Sequence, residues 1–414
     1  MKILHVLETS IPNLVGYTIR AKYIVENQKK SGMEPVVVTS PFFQNGDPQI
    51  RKEIHNGTIY YRTNFIKRPD KEHNKIVSYL TRLSMIHNYK RAVLKIAKLE
   101  KPNVIHAHSS YTNCIAANYA SKKTKIPSIY EMRSLWGESA VVDEGLIQGS
   151  MKYKMIWNLE MNVARNAKKV IPISKGIKDE IISRGIDPEK ISIIPNGVDT
   201  GTFRPNEKDD SLMKKYDLKN GYVVGYIGSI RKLEGLSCLI EAFKKVTSEL
   251  PLTKLLIVGE GPELENLKDF AKKYNSTKNI VFTGLVPHEK ILRYYSVIDI
   301  FVFPRIDAKI NQTVTPLKPL EAMSAGKVCI GSNVGGLKEL IKDNYNGLLF
   351  KSEDSNDLAE KTIQLIKQKP LYNTLKQNGM DWVRKKRDWD VLIPRYQVIY
   401  NELQEVVGDI QNVK

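Results

Sequence analysis

Apolar residues fall along this chain in short runs separated by amphipathic stretches, and the alternation repeats from end to end. Residues 2–8 read as a buried parallel strand, 17–30 as a helix and 36–39 as the next strand, a β-loop-α-β unit with a single glycine, Gly16, at its turn. Strands follow at 102–108, 126–130 and 170–174, and helices at 151–167 and 175–184. At 191–199 an apolar strand runs into a Pro-Asn-Gly turn, a boundary signal, and the polar stretch 200–220 reads as a linker. The pattern then starts again, with strands at 222–227, 254–258, 280–284, 300–303, 328–330 and 346–350, a helix at 236–249 and an aromatic-rich terminal helix at 389–406. The expected fold class is α/β with two domains, 1–199 and 200–385, and a C-terminal helix at 386–414.

Candidate chemistry gathers in 314–326, VTPLKPLEAMSAG. It follows the strand 300–303 and opens into helical spacing (Leu317, Leu320, Met323), so it reads as a loop entering a helix at the C-terminal edge of a parallel sheet, where open α/β sheets bind ligands. A helix N-terminus with Lys318 beside it and Glu321 one turn on suits a phosphate followed by a ribose. On the residues alone, a solvated lysine and an ordinary helix glutamate remain the alternative. Gly259-Glu260-Gly261 is a GxG after a strand, but its third glycine is missing, and the first turn of the chain has only Gly16. Both observations argue against a dinucleotide cofactor. His106 and His108 point to the same side of a strand, yet two imidazoles need further metal ligands and none are spaced nearby, so no metal is expected. Cys114, Cys238 and Cys329 have no metal or disulfide spacing and read as buried apolar residues.

Composition adds one constraint. With 414 residues, 42 % hydrophobic, the chain can build two cores, and its longest apolar runs fall well short of the ~20 residues that span a bilayer. The first residues enter a strand pattern and not a signal peptide, so a cytoplasmic protein is expected. Lys and Arg outnumber Asp and Glu by 64 to 45, a net charge of +19 that favours anionic partners. Nucleic acid is not expected, because zinc-finger spacing, RNP-like aromatics and a continuous basic helix are all missing. Residues 67–101 carry ten Lys or Arg against three acids, interleaved with Ile76, Tyr79, Leu80, Leu83 and Ile86 at helical spacing. Such a stretch suits an anionic membrane surface, or a surface helix packed on its own domain.

Glu321-Ala322-Met323-Ser324 resembles the second half of a signature of the retaining glycosyltransferases of family 4, whose usual form is a Glu, seven residues, then Glu-Ala-Met-Ala. Eight residues before Glu321 stands Thr313, so the first glutamate is absent, and Gln312 or Thr313 would have to replace it. The wording TPLKPLEAM and SIPNLVGYTIR is similar to a subgroup associated with exopolysaccharide and exosortase loci, which has a glutamate where Gln312 stands. The resemblance implies a GT-B fold, two Rossmann-like domains facing a central cleft, and metal-independent, cofactor-free transfer of a sugar with retention. The donor would be a nucleotide-diphosphate sugar, UDP-linked or GDP-linked. The acceptor would be a hydroxyl of a polysaccharide or lipid-linked glycan precursor, met by a cytoplasmic enzyme peripheral at the inner membrane face.

By the same resemblance Gly16 would let backbone approach the diphosphate, and His108 would face the transferred sugar. Relatives hold the diphosphate with an Arg and a Lys where Ser229 and Glu234 stand here, so Arg231, Lys232, Lys318 and the loop Val314, Thr315, Pro316 and Leu317 would take over. Leu285 would meet the nucleobase through its main chain, and Glu321, with His108 the expected catalytic pair, would bind ribose. Arg133, where many relatives have His-Asp, would touch donor phosphate or acceptor, or pair with Glu131 or Glu138. A nucleotide-sugar 2-epimerase of this fold and a non-catalytic nucleotide-sugar-binding module are the alternatives.

Overall fold

A computed structural model describes every residue except 14–15, 44–50, 64–65, 67–74, 274–276 and 413–414. The chain divides into two units, Met1–Pro195 with Trp389–Lys414, and Asn196–Asp388.

The first unit holds seven strands, β1 (Lys2–Leu7), β2 (Glu34–Thr39), β3 (Lys52–His55), β4 (Thr58–Arg62), β5 (Val104–His108), β6 (Ser128–Met132) and β7 (Lys169–Pro172), in the order β3-β4-β2-β1-β5-β6-β7. All pair in parallel except the β3–β4 hairpin, whose turn residues Asn56 and Gly57 both have positive φ, 49° and 70°. That conformation is the hairpin turn an Asn-Gly pair favours. The central strands are buried along their length and carry near-continuous apolar runs, as parallel strands covered on both faces must. β6 begins two residues later than the apolar pattern predicts, because Pro127 has no N–H to give a ladder.

Residues 191–194 read as a strand in sequence but form only a bridge from Ile191 to Val170. Their N–H groups still follow the ladder, Ser192 to Val170 O and Ile194 to Pro172 O. The carbonyls of Ile194 and Pro195 instead accept from the Arg20 guanidinium at 3.1 and 2.8 Å, which ends the pairing. The terminal helix, Trp389–Asn412, is longer than the pattern predicts and returns to this unit. Its buried stripe of Trp389, Leu392, Ile393, Tyr396, Ile399 and Tyr400 joins Ile3, Ile24, Val104 and Ile129 in one core.

The second unit is a six-stranded, fully parallel sheet, β8 (Val223–Ile227), β9 (Lys254–Val258), β10 (Ile280–Phe282), β11 (Ile300–Phe303), β12 (Val328–Ser332) and β13 (Leu348–Phe350), ordered β10-β9-β8-β11-β12-β13. Each sheet therefore has a point where the chain reverses its direction of winding, between β1 and β5 in one and between β8 and β11 in the other. In doubly wound sheets ligands bind in the crevice at the C-terminal ends of those strands. The three cysteines are free and buried. No helix among the described residues is long and apolar enough to cross a membrane.

Candidate functional site

In the second unit the β8–β11 crevice is built from two loops stitched together. After β8, the turn 228–235 closes on a three-residue 3-10 turn, Lys232–Glu234, capped by Arg231. Glu234 stands where the resemblance expects a lysine, and it is gripped at 3.0 and 3.2 Å by Arg305, which follows β11. Arg305 also reaches the Val314 carbonyl at 3.4 Å, and Asn311 donates to Leu233 O at 2.9 Å, so the two loops are tied to each other. Gly259, at φ 139°, lies so close to Gly228 O that a Cβ would sit 1.8 Å from it, which only glycine tolerates.

The loop 314–317 leads into the helix Lys318–Ser324. Val314 N–H is bound to Ile310 O and Pro316 has none, so Thr315 and Leu317 are the loop's remaining main-chain donors. Asn196 fixes Thr315 by donating to its carbonyl and hydroxyl at 2.8 and 3.2 Å. Glu321 is buried, and its Oε2 accepts from Tyr295 at 2.5 Å and from Lys318 Nζ at 2.9 Å. Burial and the neighbouring carboxylate hold the Tyr295 phenol well above its ordinary pKa, so it stays a donor. Oε1 of Glu321 has no hydrogen bond among the described residues, leaving one carboxylate oxygen to receive a hydroxyl.

The position of the absent first glutamate is structural here. Gln312 accepts from Gly335 N–H and donates to Asp307, both at 2.6 Å, and Thr313 donates to Lys309 O at 2.9 Å. Lys232 is exposed, and Leu285 is exposed after β10 at the sheet's outer edge.

In the first unit, strand register brings His5 beside His106 and His108 beside Glu131, at the C-terminal half of β1, β5 and β6. The sequence offered two imidazoles; β1 supplies a third, and the three can place ligand atoms within 4.8 Å of one another. They are arranged, however, as a hydrogen-bond chain. Gln28 Oε1 accepts from His5 Nε2 at 2.8 Å, which leaves His5 Nδ1 to accept from His108 Nε2 at 2.8 Å, which leaves His108 Nδ1 to accept from Arg133. Gln28 Nε2 donates to Tyr400, whose hydroxyl donates at 2.8 Å to His106 Nδ1. The His106 and His108 rings lie 4.1 Å apart and 22° from parallel, so their in-plane lone pairs do not converge on a common point. Burial, aided by neighbouring cationic groups, lowers the His5 pKa to about 3 and the His108 pKa to about 4, and pushes that of His106 well below its ordinary value. All three are neutral, as the chain requires.

Glu131 anchors the other end. Its Oε1 accepts from Arg20 at 3.1 Å and Arg133 at 2.6 Å, and its Oε2 accepts from Tyr396. The two guanidiniums outweigh complete burial and hold the carboxyl well below the usual carboxylate range. His106 Nε2, the one ring nitrogen of the three without a hydrogen bond, lies 3.6 Å from Glu131 Oε2. Arg133 thus pairs with Glu131, and both nitrogens of His108 are engaged. The Arg133 guanidinium is itself buried, joining Glu131 to His108 Nδ1. Gly16 opens the helix Gly16–Lys30, after residues outside the described set.

Sequence reasoning missed Tyr295, Arg305, Gln28, His5, Arg20, Tyr396 and Tyr400. Each lies far from its main partner in the chain, so only the packing of helices, strands and loops in the fold brings them together.

Comparison with known proteins supplies the chemistry. Residues 16–202 match the family described as Glycosyltransferase Family 4, and residues 208–382 match Glycosyl transferases group 1. An uncharacterized glycosyltransferase of Methanocaldococcus jannaschii is 25 % identical over 99 % of this chain and all of its own length. The UDP-Gal:alpha-D-GlcNAc-diphosphoundecaprenol alpha-1,3-galactosyltransferase of Escherichia coli is 28 % identical over 72 % of this chain and 75 % of its own. Among solved structures, HepE of Anabaena in complex with UDP-glucose superposes with a TM-score of 0.73 at 18 % identity, covering 99 % of this chain and all of that one. Two parallel-sheet units, each matching its own glycosyltransferase family along most of its length, identify the chain as a GT4-like glycosyltransferase of GT-B fold, an enzyme that transfers glycosyl groups.

Proposed function

We propose that the chain moves a sugar, with retention, from a nucleoside-diphosphate sugar to a hydroxyl of a polysaccharide or lipid-linked glycan precursor, with UDP preferred to GDP. The observation that carries this reading is Glu321. One of its oxygens is fixed by Tyr295 and Lys318, and the other is left to accept ribose hydroxyls beside the β8–β11 crevice. Lys318, Arg231, Lys232 and the N–H groups of Thr315 and Leu317 would meet the diphosphate there. Charge developing on the leaving diphosphate is then stabilised by fixed donors and cations, which needs neither a cofactor nor a metal ion. Arg133, oriented by His108 and Glu131, would act on the sugar side. HepE was solved with UDP-glucose, and the E. coli relative is named for a UDP-Gal donor and a lipid diphosphate acceptor; both support the donor class, and the second supports the acceptor class. A lipid-linked acceptor would place the enzyme peripherally at the cytoplasmic face of a membrane. Lys67, Arg68 and Lys71 of the basic stretch lie outside the described residues, and Lys75 begins a helix.

A thermal-shift screen of nucleotide sugars tests the donor: a ligand at ~100 times its dissociation constant stabilises the fold by about 2.7 kcal/mol. Nucleotide release that requires an acceptor identifies the transferase. Turnover without acceptor identifies an epimerase, and binding with no turnover on any acceptor identifies a binding module.

A further inference from the structure

The exposed large apolar side chains are not scattered. Of fourteen among the described residues, eight lie on two segments of the first unit. Val77, Tyr79, Leu80 and Leu83 stand near the start of the helix Lys75–Glu100. Met151, Met155 and Leu159 follow one another at four-residue spacing along the helix Met151–Asn166, which makes one stripe, 38 to 75 % exposed, and Ile147, 76 % exposed, stands in the loop just before it.

Both segments rise past the same edge of the sheet. The helix Lys75–Glu100 runs from Tyr89, which donates to Leu7 O at 2.8 Å, down to Glu100, which accepts from Lys2 at 3.1 Å. The Tyr130 hydroxyl, 2.7 Å from Ser109 O and 3.5 Å from Glu160 Oε1, sets Glu160 level with Tyr111, the first residue of the helix Tyr111–Thr124 that follows β5 and His108. Further along, Lys90 sits 4.8 Å over the Tyr119 ring and Asn118 donates to Val163 O at 2.9 Å. Residue numbers rise together on all three helices, so the helices run side by side in one direction. At 1.5 Å per residue, Met151 stands about 13 Å beyond the level of Tyr111 and Glu160, and residues 77–80 also lie beyond it. These apolar groups therefore project past the C-terminal edge that carries His108.

Charge decides between partners. The first unit has 33 Lys and Arg against 21 Asp and Glu, an excess of twelve out of the chain's nineteen. Lys152 and Lys154 flank Met151 and Met155 on the exposed arc, with Glu144 pairing Lys152 at 3.3 Å. A second copy would set one positive excess against another, whereas an anionic lipid surface is matched by it. We propose that these two apolar helix starts are where the first unit docks on an anionic phospholipid bilayer, bringing the edge that carries His108 to the membrane. The proposal rests on the lipid-linked acceptor reading above.

The test is co-sedimentation of the full chain with phosphatidylcholine vesicles with and without phosphatidylglycerol, for the parent and for Ile147→Gln/Met151→Gln/Met155→Gln. These side chains are exposed, so the variant should keep the parent's circular dichroism and its thermal shift with nucleotide sugar. Docking predicts that the parent pellets with phosphatidylglycerol vesicles at low salt and that the variant binds about tenfold more weakly or less. Equal binding by parent and variant, or no binding by the parent, overturns it. So does a concentration-dependent dimer, seen by light scattering, that the same substitutions abolish. Donor binding without vesicle binding rejects the docking alone, whereas a parent that binds no nucleotide sugar rejects the functional reading beneath it.

Discussion

Tyr295, in the helix before β11, donates its hydroxyl across 2.5 Å to Oε2 of Glu321, and its fully buried ring fixes where that carboxylate points. Lys318 is the less enclosed of the two partners, its side chain about a third exposed. Tyr295→Phe keeps the ring and removes the hydrogen bond. The expected result is nucleotide-sugar binding weakened by about 1.5 to 3 kcal/mol, the worth of a bond to a charged group. Isothermal titration checks it, and an unchanged affinity would mean that Glu321 needs no orienting.

The imidazole chain depends on Gln28, which serves His5 and Tyr400 at once. Gln28→Ala leaves the buried His5 Nε2–H unpaired, at a cost of about 1 to 3 kcal/mol, while the Tyr400 hydroxyl loses a donor but keeps its bond to His106. Urea unfolding followed by tryptophan fluorescence reads this directly, because Trp136, Trp157 and Trp389 belong to the first unit and only Trp382 to the second. A fall in the first unit's stability of about 1 to 3 kcal/mol is expected; no change would mean that the hydrogen-bond chain does not hold the unit together.

Stability of the first unit should peak near pH 6.5. His5 and His108, lowered to about 3 and about 4 from 6.5, stay neutral in the fold, so between 4 and 6.5 the unfolded chain binds protons that the native state does not. Stability therefore drops with falling pH there, by about 1.4 kcal/mol per unit for each group. Glu160 has the opposite sign: burial raises it to about 8, so from 4.5 to 8 the native state holds a proton that the unfolded chain has lost, and stability drops as pH rises. Below 6.5 the histidines outweigh it, and above 6.5 it acts alone. Glu160→Gln should flatten the limb from pH 6.5 to 8 in urea midpoints, and persistence of that limb would refute the assignment.

Dialysis against EDTA should leave acceptor-dependent nucleotide release intact, because every ring nitrogen of the three histidines except His106 Nε2 is already in a hydrogen bond. Loss of activity with recovery on adding Mg²⁺ would contradict the proposed mechanism.

Much of this was legible in the sequence. The alternation of apolar runs marks both series of strands, and the wording around Glu321 marks the loop that enters its helix. Elements that depend on distant pairing were not legible. The β3–β4 hairpin went unread although Asn56-Gly57 is a strong turn signal, because the flanking runs are short and half-exposed. Residues 191–194 look like a strand, yet Arg20, 174 residues away, takes the Ile194 carbonyl. His108 reads as a sugar contact, but the register that sets His5 and Glu131 beside it engages both its nitrogens, and nothing local in the sequence encodes that register.

If Glu321, held by Tyr295 and Lys318, receives the nucleotide sugar, the thermal shift of the parent, Glu321→Ala and Lys318→Ala with UDP- and GDP-sugars reads it directly. The parent should be clearly stabilised, Glu321→Ala should lose that stabilisation at a ligand-free melting temperature close to the parent's, and Lys318→Ala should bind donor more weakly by about 1 to 3 kcal/mol. A Glu321→Ala protein that binds donor as tightly as the parent would rule out this role for Glu321.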